Sequence, residues 1–275
     1  MTDFDLQFNT KKTIDFHGRH ISYIDVEPLL SKNNTPIFIA PGWGETPKTF
    51  KDLIHLLFDG GFRVISVSHP RQDLKLITKS NISRLESQKA EIILTVLKAL
   101  DIEKTNAVAH SEGAINVVIA AHVMPSIFKN ILLVSPGGLV ENESFFELVS
   151  RFIGNLFQGG ARAFTDPMAR AHIIQSSIET VKYFIMNPVM GLLEGSAISR
   201  THLQNFLIDL RANNISIGVI HGTDDIVFPL KKMKSLAGLP WIDLHTMKGD
   251  HSDIYTHPEN YVTILKQRFE DSSEI

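Results

Sequence analysis

One serine sits among small residues in AVAHSEGAI, residues 107–115, and a hydroxyl in that setting is a candidate nucleophile. Glycine weakens a continuing strand, so Gly113 marks a sharp change of direction. Strand Asn106 to His110 ends, the chain turns at Ser111, and a helix starts near Ala114. Such an elbow strains its central residue and needs small neighbours two before and two after, as Ala109 and Gly113 are. The hydroxyl then stands at the tip of a turn, with a helix N-terminus behind it that favours developing negative charge. Taken alone, the pentapeptide also fits a buried or capping serine. Serine is a poor nucleophile at neutral pH and requires a base that is itself oriented by an acid. Twelve histidines are available for the first role. The absence of cysteine excludes disulfides, thiolate metal sites and a cysteine nucleophile.

The elements that must position these groups alternate along the chain. Short runs rich in β-branched residues, PIFIA (36–40), FRVISVS (62–68), NAVAH (106–110), ILLVS (131–135) and ISIGVI (215–220), are separated by stretches at helical spacing. That rhythm predicts an α/β fold with a mostly parallel sheet, and the nearly unbroken apolar strands predict helices on both faces. Ser83-x-x-Glu86 has the form of a capping box, and Leu85, Ile92, Ile93, Val96, Leu97 and Leu100 follow on one helical stripe. TIDFHGRHISYIDVE (13–27) alternates about His17-Gly18-Arg19 like an antiparallel hairpin at one sheet edge. Between Gly137 and about Asn213 no strand pattern appears; three or more amphipathic helices are expected there, punctuated at Gly159-Gly160 and Asn187-Pro188. The expected organisation is a core of residues 1–137 and 214–275 with a helical cap or lid of 138–213. No internal repeat, linker or low-complexity tract is found, and the EDSSEI tail is expected to fray.

With the elbow placed at the end of the 106–110 strand, the sequence resembles the α/β-hydrolase superfamily, in its serine-nucleophile, esterase- or lipase-like branch. That family's elbow is small-x-Ser-x-small and most often begins with glycine; Ala109 replaces it here. The resemblance implies the chain order serine, acid, histidine, each after a strand. Strand 215–220 runs into HGTDDIVFP, where the family's Gly-x-x-Asp spacing from Gly222 gives Asp225 as the acid; Asp224 is the alternative, as a turn or cap residue. WIDLHTM (241–247) reads as the last strand and is followed by Lys248-Gly249-Asp250-His251, so His251 is the expected base. His245 lies inside that strand, His257 precedes Pro258 at a helix start, and His110 and His221 read as structural. A metal cluster of His245, Asp250, His251 and His257 lacks helical HExxH spacing and cysteine. The resemblance also implies two backbone N–H donors for an oxyanion: Glu112, after the nucleophile, and Trp43 in PGWGETPKTF (41–50), where Pro41 stands in place of the usual histidine. A further departure is SHPRQDLKL (68–76), which lacks the family's glycines; His69, Arg71 and Gln72 there either shape the pocket or are solvated loop residues.

The implied activity is that of a serine hydrolase, carboxylesterase-like, acting through an acyl-enzyme on a small or amphiphilic carboxylic ester, with no cofactor and no metal. Phe145, Phe146, Phe152, Phe157, Phe164, Phe184, Met186 and Met190 could line an apolar acyl pocket, or simply be core. Thioesters, lactones, amides and C–C bonds are cleaved by similar parts, and a hydrolase-fold small-molecule receptor with little turnover is the alternative from another class. The 27 basic and 30 acidic residues leave a formal charge of -3 without a basic run, so nucleic acid is not an expected partner. MTDFDLQFNT lacks the basic start and apolar run of a signal peptide, and no stretch reads as a bilayer span. A soluble, cytoplasmic protein is expected, with its oligomeric state unspecified.

Overall fold

The structure is a computed structural model, and it describes residues 2–31, 35–69, 84–141, 143–167, 169–233, 236 and 238–270. The chain opens with helix α1 (Asp3–Asn9), capped by Thr2, whose hydroxyl accepts from the Asp5 N–H at 3.1 Å. Strands β1 (Lys12–Phe16) and β2 (Arg19–Val26) then form the expected hairpin. Its two-residue turn has φ of 52° at His17 and 78° at Gly18, the left-handed pair that matches strand twist.

Next come β3 (Ile37–Ala40), α2 (Lys51–Asp59), β4 (Val64–Ser68), α3 (Arg84–Ala99), β5 (Thr105–His110), α4 (Glu112–Val123) and β6 (Phe128–Val134). Four helices follow before the next strand: α5 (Phe145–Thr165), α6 (Arg170–Met186), α7 (Pro188–Arg200) and α8 (Gln204–Ala212). The chain finishes with β7 (Ser216–Gly222), β8 (Asp243–Met247), α9 (Asp253–Thr256) and α10 (Pro258–Glu270).

Among the described residues the strands form one eight-stranded sheet in the order β1-β2-β4-β3-β5-β6-β7-β8. The pairs β1/β2 and β2/β4 are antiparallel and every later pair is parallel. Alternate side chains of the central strands enter opposite cores, as a sheet covered on both faces requires. Phe38, Ala107, Ala109, Ile131 and Leu133 join α3, α4 and α8 on one face. Ile37, Ile39, Val108, Leu132 and Val134 join α1, α2 and α10 on the other. Every parallel strand therefore ends at the same rim, where the candidate residues of β5 and β7 are found.

One local expectation is corrected. Gly159-Gly160 does not divide helices, because α5 runs through both. Phe152, Leu156, Gly159 and Ala163 keep one helical face against α6, and this packing outweighs the roughly 1 kcal/mol that each glycine costs. The break falls instead at Asp166, whose side chain accepts from the Ala169 N–H at 3.1 Å. Asn187 does separate α6 from α7. The expected capping box of Ser83 and Glu86 falls on Ser83, which lies outside the described residues; Glu86 itself is buried and accepts from the Asn116 side chain of α4. The acidic 271–275 segment of the tail also lies outside them. No helix of the described residues is long and apolar enough to cross a membrane.

Candidate active site

Ser111 is the N-cap of α4 and has φ 54° and ψ -121°, a left-handed conformation that an L residue adopts only under strain. Hydrogen bonds on both sides hold it there. Its N–H donates to the Val134 carbonyl at 3.1 Å, and its own carbonyl accepts from Ala114 at 3.2 Å and Gly137 at 3.0 Å. Gly113 is required by close approach: a Cβ there would lie 2.3 Å from the Ala40 carbonyl oxygen and 2.7 Å from that of Pro41.

The loops after β7 and β8 bring the other two candidates to this hydroxyl. His251 Nε2 is 3.1 Å from Ser111 Oγ, and His251 Nδ1 is 2.9 Å from Asp225 Oδ2. The other Asp225 oxygen accepts the backbone N–H groups of Val227 at 2.8 Å and Phe228 at 3.0 Å. Burial alone would raise the Asp225 carboxyl, yet the facing imidazole and these N–H donors hold it far below the usual carboxylate range. For His251, burial opposes the charged ring, and the Asp225 charge and hydrogen bond overcome it, raising the imidazole above its ordinary value. Asp224 is exposed, its N–H bonded to the Gly249 carbonyl at 3.0 Å. Burial separates the two aspartates: Asp225 is enclosed against His251 and Asp224 faces solvent.

The 41–46 loop lies against the nucleophile, since a Cβ on Gly42 would fall 2.7 Å from Ser111 Cβ. Trp43 follows in that loop, and Glu112 opens α4, where a backbone N–H has no acceptor inside the helix. Glu45, which the sequence reading passed over, turns its carboxylate back to accept the Gly42 N–H at 2.6 Å and also meets His110 Nδ1 at 2.9 Å. His110 Nε2 in turn is 2.9 Å from the His251 carbonyl oxygen.

The remaining histidines scatter. His245 is exposed on β8, whereas His257 joins Asp253 and Asp166 at 2.9 Å each. His221 is buried 3.9 Å from Asp225. Among the described residues no group of three or more His, Asp or Glu is arranged to hold a metal. The His69 ring nitrogens are buried, and burial together with Lys89 holds the ring's pKa well below the ordinary imidazole value. Arg71 and Gln72 lie outside the described residues.

Two further sets of residues carried no sequence signal. Beneath the elbow, Lys89 of α3 pairs with Glu112 of α4 at 2.5 Å and with Glu194 of α7 at 2.8 Å, and Glu194 also accepts from the Tyr183 hydroxyl of α6. Beside His251, Arg162 of α5 pairs with Asp250 and with Asp253, the latter at 3.4 Å. Both sets join side chains from different helices and loops, 11 to 105 positions apart, which helical or strand periodicity does not report.

A cavity of about 30 Å³, the room of one or two waters, lies beside His251. Trp43, Phe152 and Leu156 line it and also line an outer groove of about 420 Å³ between α5, α6 and α7. Phe184 lines this groove too and packs edge-on against Trp43 at 4.9 Å. Of the other aromatic and methionine candidates, Phe146, Phe157, Phe164 and Met186 are exposed, Met190 is buried against Leu85, and Phe145 faces Gly195.

A strained serine at the end of a parallel strand, in a chain that carries four helices between β6 and β7, defines a class. The family model described as "alpha/beta hydrolase fold" matches residues 35–184, and the chain belongs to that family. No curated protein matches the chain. Among solved structures it is similar to a carboxylesterase of the thaumarchaeon Nitrososphaera gargenis, with 19% identity, 96% of this chain and 99% of that one covered, and a TM-score of 0.69. It is also similar to the esterase EaEST of Exiguobacterium antarcticum, with 14% identity, coverage of 95% and 100%, and a TM-score of 0.73. A third similar structure is the meta-cleavage product hydrolase of Pseudomonas fluorescens IP01, with 18% identity, coverage of 98% and 100%, and a TM-score of 0.68. At these identities the likeness speaks for the fold.

Proposed function

We propose that this chain is a serine hydrolase that cleaves a small or amphiphilic carboxylic ester through Ser111, His251 and Asp225, with the Trp43 and Glu112 N–H groups as oxyanion donors. The observation that carries this reading is the unbroken hydrogen-bond path from Ser111 Oγ through His251 to Asp225, at 3.1 and 2.9 Å, centred on a left-handed serine. A chain with no use for the hydroxyl gains nothing from the strain.

In the proposed cycle His251 Nε2 takes the Ser111 proton as the oxygen attacks the acyl carbon, and the imidazolium is stabilised by Asp225. The tetrahedral oxyanion rests on the two backbone N–H groups, each worth about 2.7–4 kcal/mol of barrier. Collapse breaks the bond to the leaving alcohol, which receives the proton from His251. Water then attacks the acyl-enzyme with His251 again as base, releasing the acid and restoring the Ser111 hydroxyl.

We assign segment 138–213 as a cap on a core of 1–137 and 214–275, with the apolar part of the substrate along Trp43, Phe152 and Phe184. The small volume beside His251 means that α5, α6 or these rings must shift to admit an acyl group. Labelling with a fluorophosphonate probe tests the reading: wild type is expected to label, and Ser111→Ala and His251→Ala are not. Absent labelling of wild type, or equal labelling of all three, would overturn it.

A further inference from the structure

Glu45 poses an electrostatic problem for a site that must hold an oxyanion. Its side chain is only 8% exposed and its Oε2 sits 2.9 Å from the position of a Gly42 Cβ, itself 2.7 Å from Ser111 Cβ. A bare carboxylate so close to the reacting centre would repel the negative intermediate. The hydrogen bonds around it indicate how that charge is cancelled. The His251 carbonyl can only accept, so the His110 Nε2 that lies 2.9 Å from it carries a hydrogen. A neutral ring protonated there has a bare Nδ1, and that lone pair would face Glu45 Oε2 at 2.9 Å. The contact is a hydrogen bond only if one more proton lies between the two, as imidazolium with carboxylate or as imidazole with carboxylic acid. Either state leaves the pair with no net charge. Phe50 and Tyr255 close it in, their rings edge-on to His110 at 5.8 and 5.9 Å, an apolar setting in which an unpaired ion would be costly.

We propose that Glu45 and His110 are positioning residues that share one proton and through it clamp the oxyanion loop, at the Gly42 N–H, to the backbone of His251. The inference rests on the assignment of Ser111 and His251 above. Glu45 lines the small cavity beside His251, but the role assigned to the pair is to hold nucleophile-side and base-side loops in one register, where an error of about 1 Å costs about 10²-fold in rate.

Glu45→Gln keeps the shape but not the proton. Its amide oxygen can accept from Gly42 only by facing a bare Nδ1, and its NH₂ can serve Nδ1 only by opposing the Gly42 N–H. With p-nitrophenyl acetate, kcat is expected to fall about 10²-fold in Glu45→Gln with KM little changed. Glu45→Ala, His110→Ala and their double variant should be about equally impaired, since the two act as one unit. Wild-type kcat in Glu45→Gln, or multiplicative losses in the double variant, would overturn the clamp while leaving the nucleophile assignment standing. A readout independent of turnover and of variant folding is ¹⁵N-histidine NMR of the wild type, with His110→Asn used only to assign the signal. It should show hydrogen on His110 Nε2 and a strongly downfield proton toward Glu45, whereas a bare Nε2 overturns the clamp. Failure of fluorophosphonate labelling sinks the parent reading instead, and the NMR result still judges the pair.

Discussion

At the scale of single residues, the pH behaviour expected of the proposed hydrolase rests on the ring of His251. Asp225 raises its pKa above the ordinary imidazole value against the effect of burial, so the acid limb of kcat/KM is expected above that value, with activity lost as the pH falls through it. Asp225→Asn removes the raising charge and leaves burial acting alone. Its acid limb should therefore move to lower pH while kcat drops by about 10⁴-fold. Asp224→Asn should leave kcat and the limb where they are, because that side chain faces solvent. A pH–rate profile of the three proteins with one chromogenic ester checks this, and equal losses at 224 and 225 would refute the assignment. The family's Gly-x-x-Asp spacing, which runs along the chain, pointed to Asp225, the aspartate that meets His251. The Glu45 and His110 contact was not, since β5 and the 41–46 loop meet only across the sheet rim.

At the scale of elements, the elbow depends on how tightly α4 follows β5 beneath the 40–41 carbonyls. Gly113→Ala places a methyl 2.3 Å from the Ala40 carbonyl oxygen, an overlap that backbone can relieve only by moving. We expect a loss near or above the upper end of the usual 1–3 kcal/mol overpacking range, read as a lowered urea midpoint at unchanged slope. The α3, α4 and α7 contact is electrostatic. Lys89 sits among Glu86, Glu112 and Glu194, and burial raises the Glu112 and Glu86 carboxyls even with the ammonium present. Lys89→Met removes the cation that the described residues place among these carboxyls and raises them further. A carboxyl whose folded pKa exceeds its unfolded value takes up protons on folding, so stability declines as pH rises above the unfolded value. Lys89→Met should accordingly be destabilised by about 3–5 kcal/mol near pH 8 and by less at pH 5. A pH-independent loss in thermal melts would contradict this account. The strands and the elbow helix were legible from apolar periodicity, but Glu86 and Lys89 sit on the stripe's buried side with polar partners from other helices, and no periodicity distinguishes that from a solvated face.

At the scale of the whole molecule, the four-helix segment between β6 and β7 meets the sheet rim through unlike contacts. Leu207 and Leu210 of α8 lie in the main core beside α4, so this helix is held by buried apolar surface. Along α5 the contact with the His251 loop includes Arg162, which bridges to Asp250 and Asp253 and is partly exposed. Arg162→Met removes the cation beside buried Asp250, next to His251, and leaves Asp253 to its contact with His257. We expect faster proteolytic nicking within 143–200 and a lowered kcat, with limited trypsin digestion and steady-state kinetics as the measurements. Nicking and kcat like those of wild type would remove α5 from the control of access. Across p-nitrophenyl esters of increasing acyl length, Phe184→Ala should shift the preferred length, because its ring lines the outer groove and packs on Trp43. A preference unchanged by the substitution would count against the groove as the acyl site.

The sequence by itself determined the layered α/β architecture and the position of the elbow, because both are written in spacing along the chain, as strand runs and as small residues about a turn; the expected order of serine, acid and histidine came from the resemblance that those motifs carry. Only the tertiary structure decided the Glu45–His110 bridge, the Lys89 cluster and the Arg162 contact. These depend on which faces of distant elements meet, and burial converts such meetings into strong interactions that local residue patterns do not encode.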